Sequence, residues 1–167
     1  ALLLSLSALS AGLYLEHHGW TTYYTIETPI KIIDLRIVLF ADSHIGTTFD
    51  TRGFAEHISE MQRQNPDIVL VAGDFVDDGT TRQQMIEACR ALGSLQTTYG
   101  VYFAFGNHDK GYHDPAARGF TGDDLITELK KNNVKVLQDE NTLIDNRFIS
   151  SGAKTSQKFC AAIPAKA

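Results

Sequence analysis

The sequence has few cysteines and no excess of basic residues, and each deficit excludes a class of protein. Cys89 and Cys160 are the two cysteines among 167 residues, and their wide separation matches neither a zinc knot nor a disulfide framework. Fifteen Lys and Arg against twenty Asp and Glu give a net charge of -5. This balance argues against a protein that coats nucleic acid through clustered basic side chains. If the substrate contains phosphate, bound metal must supply the positive charge.

The sequence also lacks internal repeats and a glycine-rich dinucleotide fingerprint. Because no G-x-G-x-x-G follows a predicted strand, a nucleotide-binding domain of the Rossmann type is excluded. The hydrophobic fraction of 43% and the charged fraction of 21% are those of an ordinary globular protein. The length is sufficient for one domain with its own core, so we expect a single domain.

The N-terminal fifteen residues, ALLLSLSALSAGLYL, contain no charge and resemble a membrane anchor. As a helix they would cover about 22 Å, short of the roughly 30 Å hydrocarbon core, so this run alone would not span a bilayer. Because the chain begins with Ala rather than Met, we expect a longer membrane helix, with Tyr14, His17, His18 and Trp20 at the interface. A cleaved signal peptide or a helix packed on the domain is the alternative. We assign residues 1–19 to this anchor-like segment.

Strand-like and helix-like segments alternate through the middle of the chain. Apolar, β-branched runs predict strands over 30–34, 35–40, 67–71, 99–105 and 134–137. Apolar residues at helical spacing predict helices over 51–64, 81–95 and 122–132. This order indicates βαβ units, and therefore an α/β domain with a largely parallel sheet and helices outside. A hairpin is predicted over 142–149, and residues 150–167 are assigned as an unpatterned tail.

A polar cluster follows each of three predicted strands. The clusters are Asp42-Ser43-His44, Gly73-Asp74-Phe75-Val76-Asp77 and Gly106-Asn107-His108-Asp109. Because the carboxyl ends of parallel strands form the ligand crevice of an open α/β sheet, the three clusters should converge. Carboxylate, imidazole and amide oxygen form a mixed ligand set suited to Mn, Fe, Zn or similar ions, and the lack of thiolates argues against structural zinc. The sequence therefore predicts a metal site at this edge of the sheet.

In their order and spacing these clusters resemble the signature of the calcineurin-like metallophosphoesterases. That signature reads D-x-H, then G-D-x-x-D, then G-N-H-D or G-N-H-E, and later a lone His and G-H-x-H. The resemblance covers Ile37 to about Phe148 and is closest to the bacterial membrane-associated members, which have a hydrophobic N-terminus. It implies the family's αββα sandwich, of which this chain would supply mainly the N-terminal half over residues 30–149.

The resemblance implies a ligand set for two divalent metal ions, of Mn, Fe, Zn or Mg. Asp42 and His44 would bind the first ion, Asp74 would bridge both, and Asn107 would bind the second. Two ions roughly 3.5–4 Å apart can share a carboxylate, neutralise a phosphate and activate a water molecule for in-line attack.

The resemblance also implies roles for the residues around the ligands. His108 would stabilise the transition state or protonate the leaving oxygen, and Asp109 would hold its ring in position. Asp77 would orient a ligand or a loop amide, or would be an ordinary turn or N-cap residue. Gly73 and Gly106 precede the ligands because the chain must turn sharply out of the sheet.

The resemblance stops before the last three histidines of the signature. None of the six histidines can take those places, and the sequence from Ser150, SSGAKTSQKFCAAIPAKA, lacks apolar periodicity. We therefore expect a chain truncated at the C-terminus, with an exposed apolar inner sheet face and poor solubility. Metal binding should be weak, and the number of bound ions could be as low as one.

These observations predict a metal-dependent hydrolase of phosphate mono- or diesters or of a pyrophosphate, with this chain an inactive or weakly active fragment. A noncatalytic metal-binding or scaffold module is the alternative. The expected partners are a phosphorylated small-molecule or lipid-linked substrate, without nucleic-acid coating, and a membrane contacted through the N-terminal segment. The expected location is membrane-associated in a bacterium.

Overall fold

The computed structural model describes residues 2–16, 18–27, 34–111, 118–138, 140–145, 148–152 and 159–162. The chain divides into two compact units, residues 1–34 and 35–167. The strand predicted over 30–34 lies outside the described residues except for Asp34, which is not in a strand.

The first unit contains one helix, α1 (Leu2–Glu16), among its described residues. Its leucines are exposed, with Leu3 and Leu9 at 83% and 66%, and the exposed aromatic residues Trp20, Tyr23 and Tyr24 follow it. Within the described ranges, no helix is both long enough and apolar enough to cross a bilayer.

A four-stranded parallel sheet organises the second unit. Its strands are β1 (Ile37–Phe40), β2 (Ile68–Val71), β3 (Gly100–Ala104) and β4 (Lys135–Leu137), in the spatial order β1-β2-β3-β4. The helices α2 (Thr51–Arg63), α3 (Arg82–Gly93) and α4 (Gly122–Lys131) connect successive strands. The predicted α/β alternation is confirmed, and all carboxyl ends of the strands lie at one edge of the sheet.

Side-chain caps fix where the three helices begin. The Asp50 carboxylate accepts a hydrogen bond from the Gly53 amide at the start of α2. Thr81 and Thr121 each form a reciprocal capping box at the start of α3 and α4. Because these side chains satisfy backbone donors that the first helical turn leaves unpaired, the helices begin within one residue of the predicted positions.

Four phenylalanines form the part of the core nearest the carboxyl edge of the sheet. The rings of Phe54, Phe75, Phe103 and Phe105 are buried. Each ring packs edge to face against the next one in this order, with ring centroids 5.3–5.6 Å apart. Since Phe75 and Phe105 belong to the loops that follow β2 and β3, their packing anchors those loops to the core.

The opposite face of the sheet is only partly covered. Buried Ile68, Leu70 and Tyr102 form a second apolar cluster with Leu137 and Ile144. On the neighbouring edge strand β1, Ile37 and Leu39 are 43% and 61% exposed, although they pair in register with Ile68 and Leu70. The apolar inner face expected from the sequence is therefore open at β1.

Substitution of Leu39 by lysine is expected to raise the soluble, monomeric fraction of the protein. The change removes an exposed apolar side chain from a sheet edge, which is a template for association, and its effect on stability should stay within about 0.5 kcal/mol. Sedimentation velocity measures the monomer fraction. Ser59→Lys adds the same charge on an exposed position of α2; an equal gain in that variant would show that charge alone is responsible.

A separate antiparallel sheet contains β5 (Glu140–Ile144), β6 (Phe148–Gly152) and β7 (Phe159–Ala162). The predicted hairpin is confirmed, since Ile144 pairs with Phe148. The structure differs from the unpatterned tail expected from residue 150, because β6 continues to Gly152 and β7 lies within that range. Serine, glycine and alanine give these strands a weak sequence signal, and pairing with neighbouring strands overrides it.

Candidate metal centre

Two loops at the carboxyl edge of the sheet continue the pairing of the strands that precede them. The Asp42 amide donates to the Gly73 carbonyl at 3.1 Å, and the His44 amide donates to the Asp74 carbonyl at 3.1 Å. The parallel ladder therefore extends past β1 and β2. As a result, Asp42 and His44 lie alongside Asp74, as the sequence predicted.

Three of the four predicted metal ligands have strained backbone conformations. Asp42, His44 and Asp74 have φ values of 56°, 38° and 51°, in the left-handed region that L-residues rarely adopt. Such residues cost free energy on the order of 1–3 kcal/mol each and cluster at functional sites, where surrounding structure holds them. Asn65, Asn133 and Asp145 also have such φ values, so this conformation includes three of the residues that sequence motifs had selected as ligands but is not confined to them.

The glycines that precede the ligands differ in backbone conformation. Gly73 has a φ of 89°, which is the dihedral requirement predicted for it, and a Cβ atom there would also lie 2.5 Å from the Gly106 amide nitrogen. Gly106 lies outside the left-handed region and is required for space, because a Cβ atom there would lie 2.1 Å from Asp74 Oδ1 and 2.4 Å from the Asp74 amide nitrogen. The close approach of the two loops therefore depends on the absence of a side chain at both Gly73 and Gly106.

Gly106→Ala is expected to lower the free energy of unfolding by about 1–3 kcal/mol, the usual cost of overpacking, and to weaken Mn binding by displacing the Asp74 carboxylate. Urea denaturation and isothermal titration with Mn measure the two effects. Gly122→Ala, where the nearest atom to the new Cβ would be 3.6 Å away, should change neither. Unaltered Mn affinity in Gly106→Ala would show that the carboxylate position is not set by this contact.

Two overlapping groups of side chains could each hold a metal ion. One group consists of Asp42, His44 and Asp74, and the other of His44, Asp77 and His108; within each group the ligand atoms lie within 4.8 Å of one another. The structure thus brings together three of the predicted ligands. Asn107, the fourth, follows β3 at the same edge and is exposed, and its ligand role stays a prediction.

Asp77 joins the two histidines. Its Oδ1 lies 2.9 Å from His108 Nδ1, and its Oδ2 lies 3.4 Å from His44 Nδ1. The two rings are 4.9 Å apart and nearly perpendicular. Burial raises the pKa of Asp77, but hydrogen bonds from the Asp78 amide and the Thr47 hydroxyl, together with both histidines, outweigh it and hold the pKa below the ordinary value. Of the two roles considered for Asp77, the geometry favours the orienting one.

Asp109 does not have the role expected for it. The sequence assigned it to the His108 ring, but Asp77 contacts that ring, and the buried Asp109 carboxylate accepts hydrogen bonds from backbone amides. The four donors, at 2.8–3.1 Å, are the amides of Asp74, Phe75, Val76 and Gly106. Asp109 therefore ties together the loops that follow β2 and β3.

The burial of Asp109 has an electrostatic consequence. Burial raises its pKa to about 6, an effect to which the charge of Asp74 adds and which the amide hydrogen bonds oppose. The carboxylate is thus mainly ionised at neutral pH, which is the form that can accept all four bonds.

Hydroxyl groups that sequence reasoning did not select hold Asp77 in place. Thr80 accepts a hydrogen bond from the Asp77 amide at 2.7 Å and donates to the Ile45 carbonyl, and Thr47 bonds the Asp77 carboxylate. Threonines at turns have no distinctive spacing, so only the burial of Thr80 at 0% exposure reveals its role.

The arrangement fits a divalent cation. His44 Nδ1 is buried and has no hydrogen-bond partner within the described part of the chain, a costly state for a polar atom. Asp77 Oδ2 lies 3.4 Å from this nitrogen, and Asp42 Oδ1 lies 3.8 Å from the other ring nitrogen, Nε2. A nearby cation would favour the ionised forms of these carboxylates. Imidazole nitrogen with carboxylate oxygen is a donor set that suits Mn, Fe or Zn.

A model of the calcineurin-like phosphoesterase family matches residues 35–159. The chain therefore belongs to this family, as the motifs and the α/β fold predicted.

Curated relatives agree with the family assignment. A transmembrane protein with metallophosphoesterase domain from Danio rerio is 36% identical over 81 residues, which cover 48% of this chain and 18% of the relative. Uncharacterized metallophosphoesterases from Campylobacter jejuni and Bacillus subtilis are each 30% identical, over 74% and 71% of this chain and 30% and 47% of their own lengths. The chain spans less than half the length of these relatives.

The crystal structure of the Pseudomonas putida nuclease MPE is similar with a TM-score of 0.37 and 19% sequence identity, covering 61% of this chain and 47% of that chain.

Proposed function

We propose that this domain hydrolyses phosphate mono- or diesters or a pyrophosphate with the help of divalent metal ions. The convergence of Asp42, His44 and Asp74, whose ligand atoms lie within 4.8 Å, supports the proposal. With Asn107 they would hold two ions of Mn, Fe, Zn or Mg. When bound, such ions supply positive charge for the substrate phosphate and lower the pKa of a water molecule.

His108 is the proposed proton-transfer residue. Asp77 lies at hydrogen-bonding distance from its Nδ1, and a carboxylate acceptor there favours the tautomer with the proton on Nδ1. The other ring nitrogen, Nε2, would then exchange a proton with the leaving oxygen or bind the phosphate. Asp77 orients the ring, and His108 contacts the substrate.

The charge of the site makes the proposed reaction dependent on metal. Asp42, Asp74 and Asp77 lie together, and their combined negative charge repels a phosphate. Substrate should therefore bind only after cations have neutralised these carboxylates, which agrees with the net charge of -5 and the absence of a basic coat in the sequence.

The proposal includes a membrane contact and a phosphorylated small-molecule or lipid-linked substrate. The first fifteen residues contain no charge, and the exposed Trp20, Tyr23 and Tyr24 are residue types that favour the membrane interface. Relatives from Danio rerio and Bos taurus are named as transmembrane proteins. We place the protein at a bacterial membrane because other relatives, from Campylobacter jejuni and Bacillus subtilis, are bacterial.

Hydrolysis of p-nitrophenyl phosphate and of its bis ester tests the enzymatic part. We expect slow hydrolysis that requires Mn, stops with EDTA and falls about 100-fold or more in His108→Ala, the usual loss for a general acid or base. His57→Ala, a histidine of α2 outside both candidate groups, should keep full activity. Mn binding without hydrolysis of either ester or of a pyrophosphate would contradict the enzyme and favour the noncatalytic metal-binding module.

A further inference from the structure

Arg118 is a buried arginine whose hydrogen bonds go to backbone carbonyls. It is 4% exposed; its Nε donates to the Phe120 carbonyl at 3.1 Å, Nη1 to the His108 carbonyl at 3.0 Å, and Nη2 to the Asp109 carbonyl at 2.9 Å. The guanidinium carbon also lies 4.2 Å from the centre of the Phe120 ring. Burying a charge is costly, so these contacts mark a site where the fold requires an arginine.

The bond to His108 completes a two-sided attachment of that residue. The His108 amide donates to Asp74 Oδ1 at 3.0 Å, and its carbonyl accepts from Arg118 and from the Gly111 amide within the turn. The peptide groups on either side of the His108 Cα atom are thus fixed, one to a candidate metal ligand and the other to the guanidinium. With the backbone fixed, the two side-chain torsions of His108 are the remaining freedom of the ring that contacts Asp77.

Arginine has the geometry and charge that this position needs. Its planar fork reaches three carbonyls at once, which the single ammonium of lysine cannot do with the same geometry. Burial lowers the pKa of Arg118, while the negative charges of Asp78, Asp109 and Asp77 act in the opposite direction. The guanidinium stays charged and offsets part of the negative charge beneath the site.

We propose that Arg118 is a positioning residue for His108. It fixes the short 3-10 turn at His108–Lys110 so that the imidazole meets Asp77 and the substrate in one orientation. Arg118 acts through the backbone of the turn and does not itself contact the substrate. The consequence for catalysis rests on the proposed hydrolase function, whereas the hold on the turn is independent of it.

Amide hydrogen exchange, followed by NMR, tests the hold on the turn. In Arg118→Lys the His108 amide should exchange about tenfold faster or more, because a charge-assisted hydrogen bond stabilises by about 1.5–3 kcal/mol. The Phe103 amide in the core strand should stay within about twofold. Arg82→Lys is the matched control: Arg82 donates to the Gly119 carbonyl and to Asp124, so it holds the same loop without contacting the turn.

Kinetics separates positioning from a merely structural role. In Arg118→Lys, kcat should fall about tenfold to 100-fold with KM nearly unchanged, as expected when a reacting group is misplaced. Arg118→Ala should regain part of this kcat when guanidinium chloride is added at millimolar concentration, since the free ion can occupy the space of the lost side chain. Arg118→Lys keeps the charge, so the test does not depend on whether the alanine variant folds.

Three results would overturn the proposal: unchanged exchange of the His108 amide in Arg118→Lys, an equal acceleration at His108 and Phe103, or the same acceleration at His108 in Arg82→Lys. If the His108 amide alone accelerates and neither the parent chain nor its variants hydrolyse either ester or a pyrophosphate, the hold on the turn is supported and the proposed hydrolase function fails.

Discussion

Replacement of Asp109 by alanine is expected to lower the free energy of unfolding by about 4 kcal/mol or more. The carboxylate accepts hydrogen bonds from four backbone amides at a fully buried position. Each buried donor left without a partner costs about 1–3 kcal/mol. Because small domains are stable by only about 5–15 kcal/mol, this single change removes a large part of the stability.

Urea denaturation followed by circular dichroism measures this loss. The matched control is Asp50→Ala, which also removes a carboxylate that accepts from a backbone amide, but one that is exposed and accepts from the Gly53 amide at the start of α2. Loss of such a helix N-cap costs about 1 kcal/mol. If both variants lost the same stability, Asp109 would not be the connection between the two loops that its geometry indicates.

The fold was predictable because local signals and topology agree. Asp50, Thr81 and Thr121 mark the starts of the three helices of the second unit, and the strands between them are short apolar runs. Once the sheet was expected to be parallel, the loops after β1 and β2 had to meet at one edge. The proximity of Asp42, His44 and Asp74 therefore followed from chain order, without knowledge of any side-chain contact.

The exchange of roles between Asp77 and Asp109 could not be predicted in the same way. Asp109 is adjacent to His108 in sequence, which suggested a contact between their side chains. However, consecutive residues of a tight turn point in different directions, and four amides from two loops converge on the Asp109 side chain. Asp77 lies 31 positions before His108, and only the folding of its loop brings the two together.

Arg118 gave no signal in the sequence either. It lies ten residues after His108 in a segment without periodicity, and an arginine is usually an exposed residue. The same holds for β6 and β7, where small polar residues form strands because neighbouring strands pair with them. In both cases the structure is determined by contacts between residues that are distant in the sequence, and such contacts produce no recognisable motif or spacing.

Asp74→Asn is expected to weaken Mn binding on the order of 100-fold. Loss of a residue that only hydrogen-bonds to a metal ligand typically weakens binding about 10–100-fold, and loss of a ligand itself should reach at least the upper end of that range. Asp74 is 4% exposed and belongs to the group with Asp42 and His44. Asparagine has the same shape, and its Oδ1 can still accept the His108 amide that Asp74 Oδ1 accepts at 3.0 Å. The substitution thus removes charge from the proposed ligand and preserves the loop.

The substitution should therefore lower metal affinity without lowering stability. In the absence of metal, the charge of Asp74 raises the pKa of its neighbour Asp109, so removing that charge relieves a repulsion and the urea midpoint should not fall. Isothermal titration with Mn measures the affinity, and Asp78→Asn, which removes the same charge from the same loop outside both candidate groups, should retain it. Equal losses of affinity in the two variants would mean that Mn senses only the total negative charge, and Asp74 would then lose its assignment as a ligand.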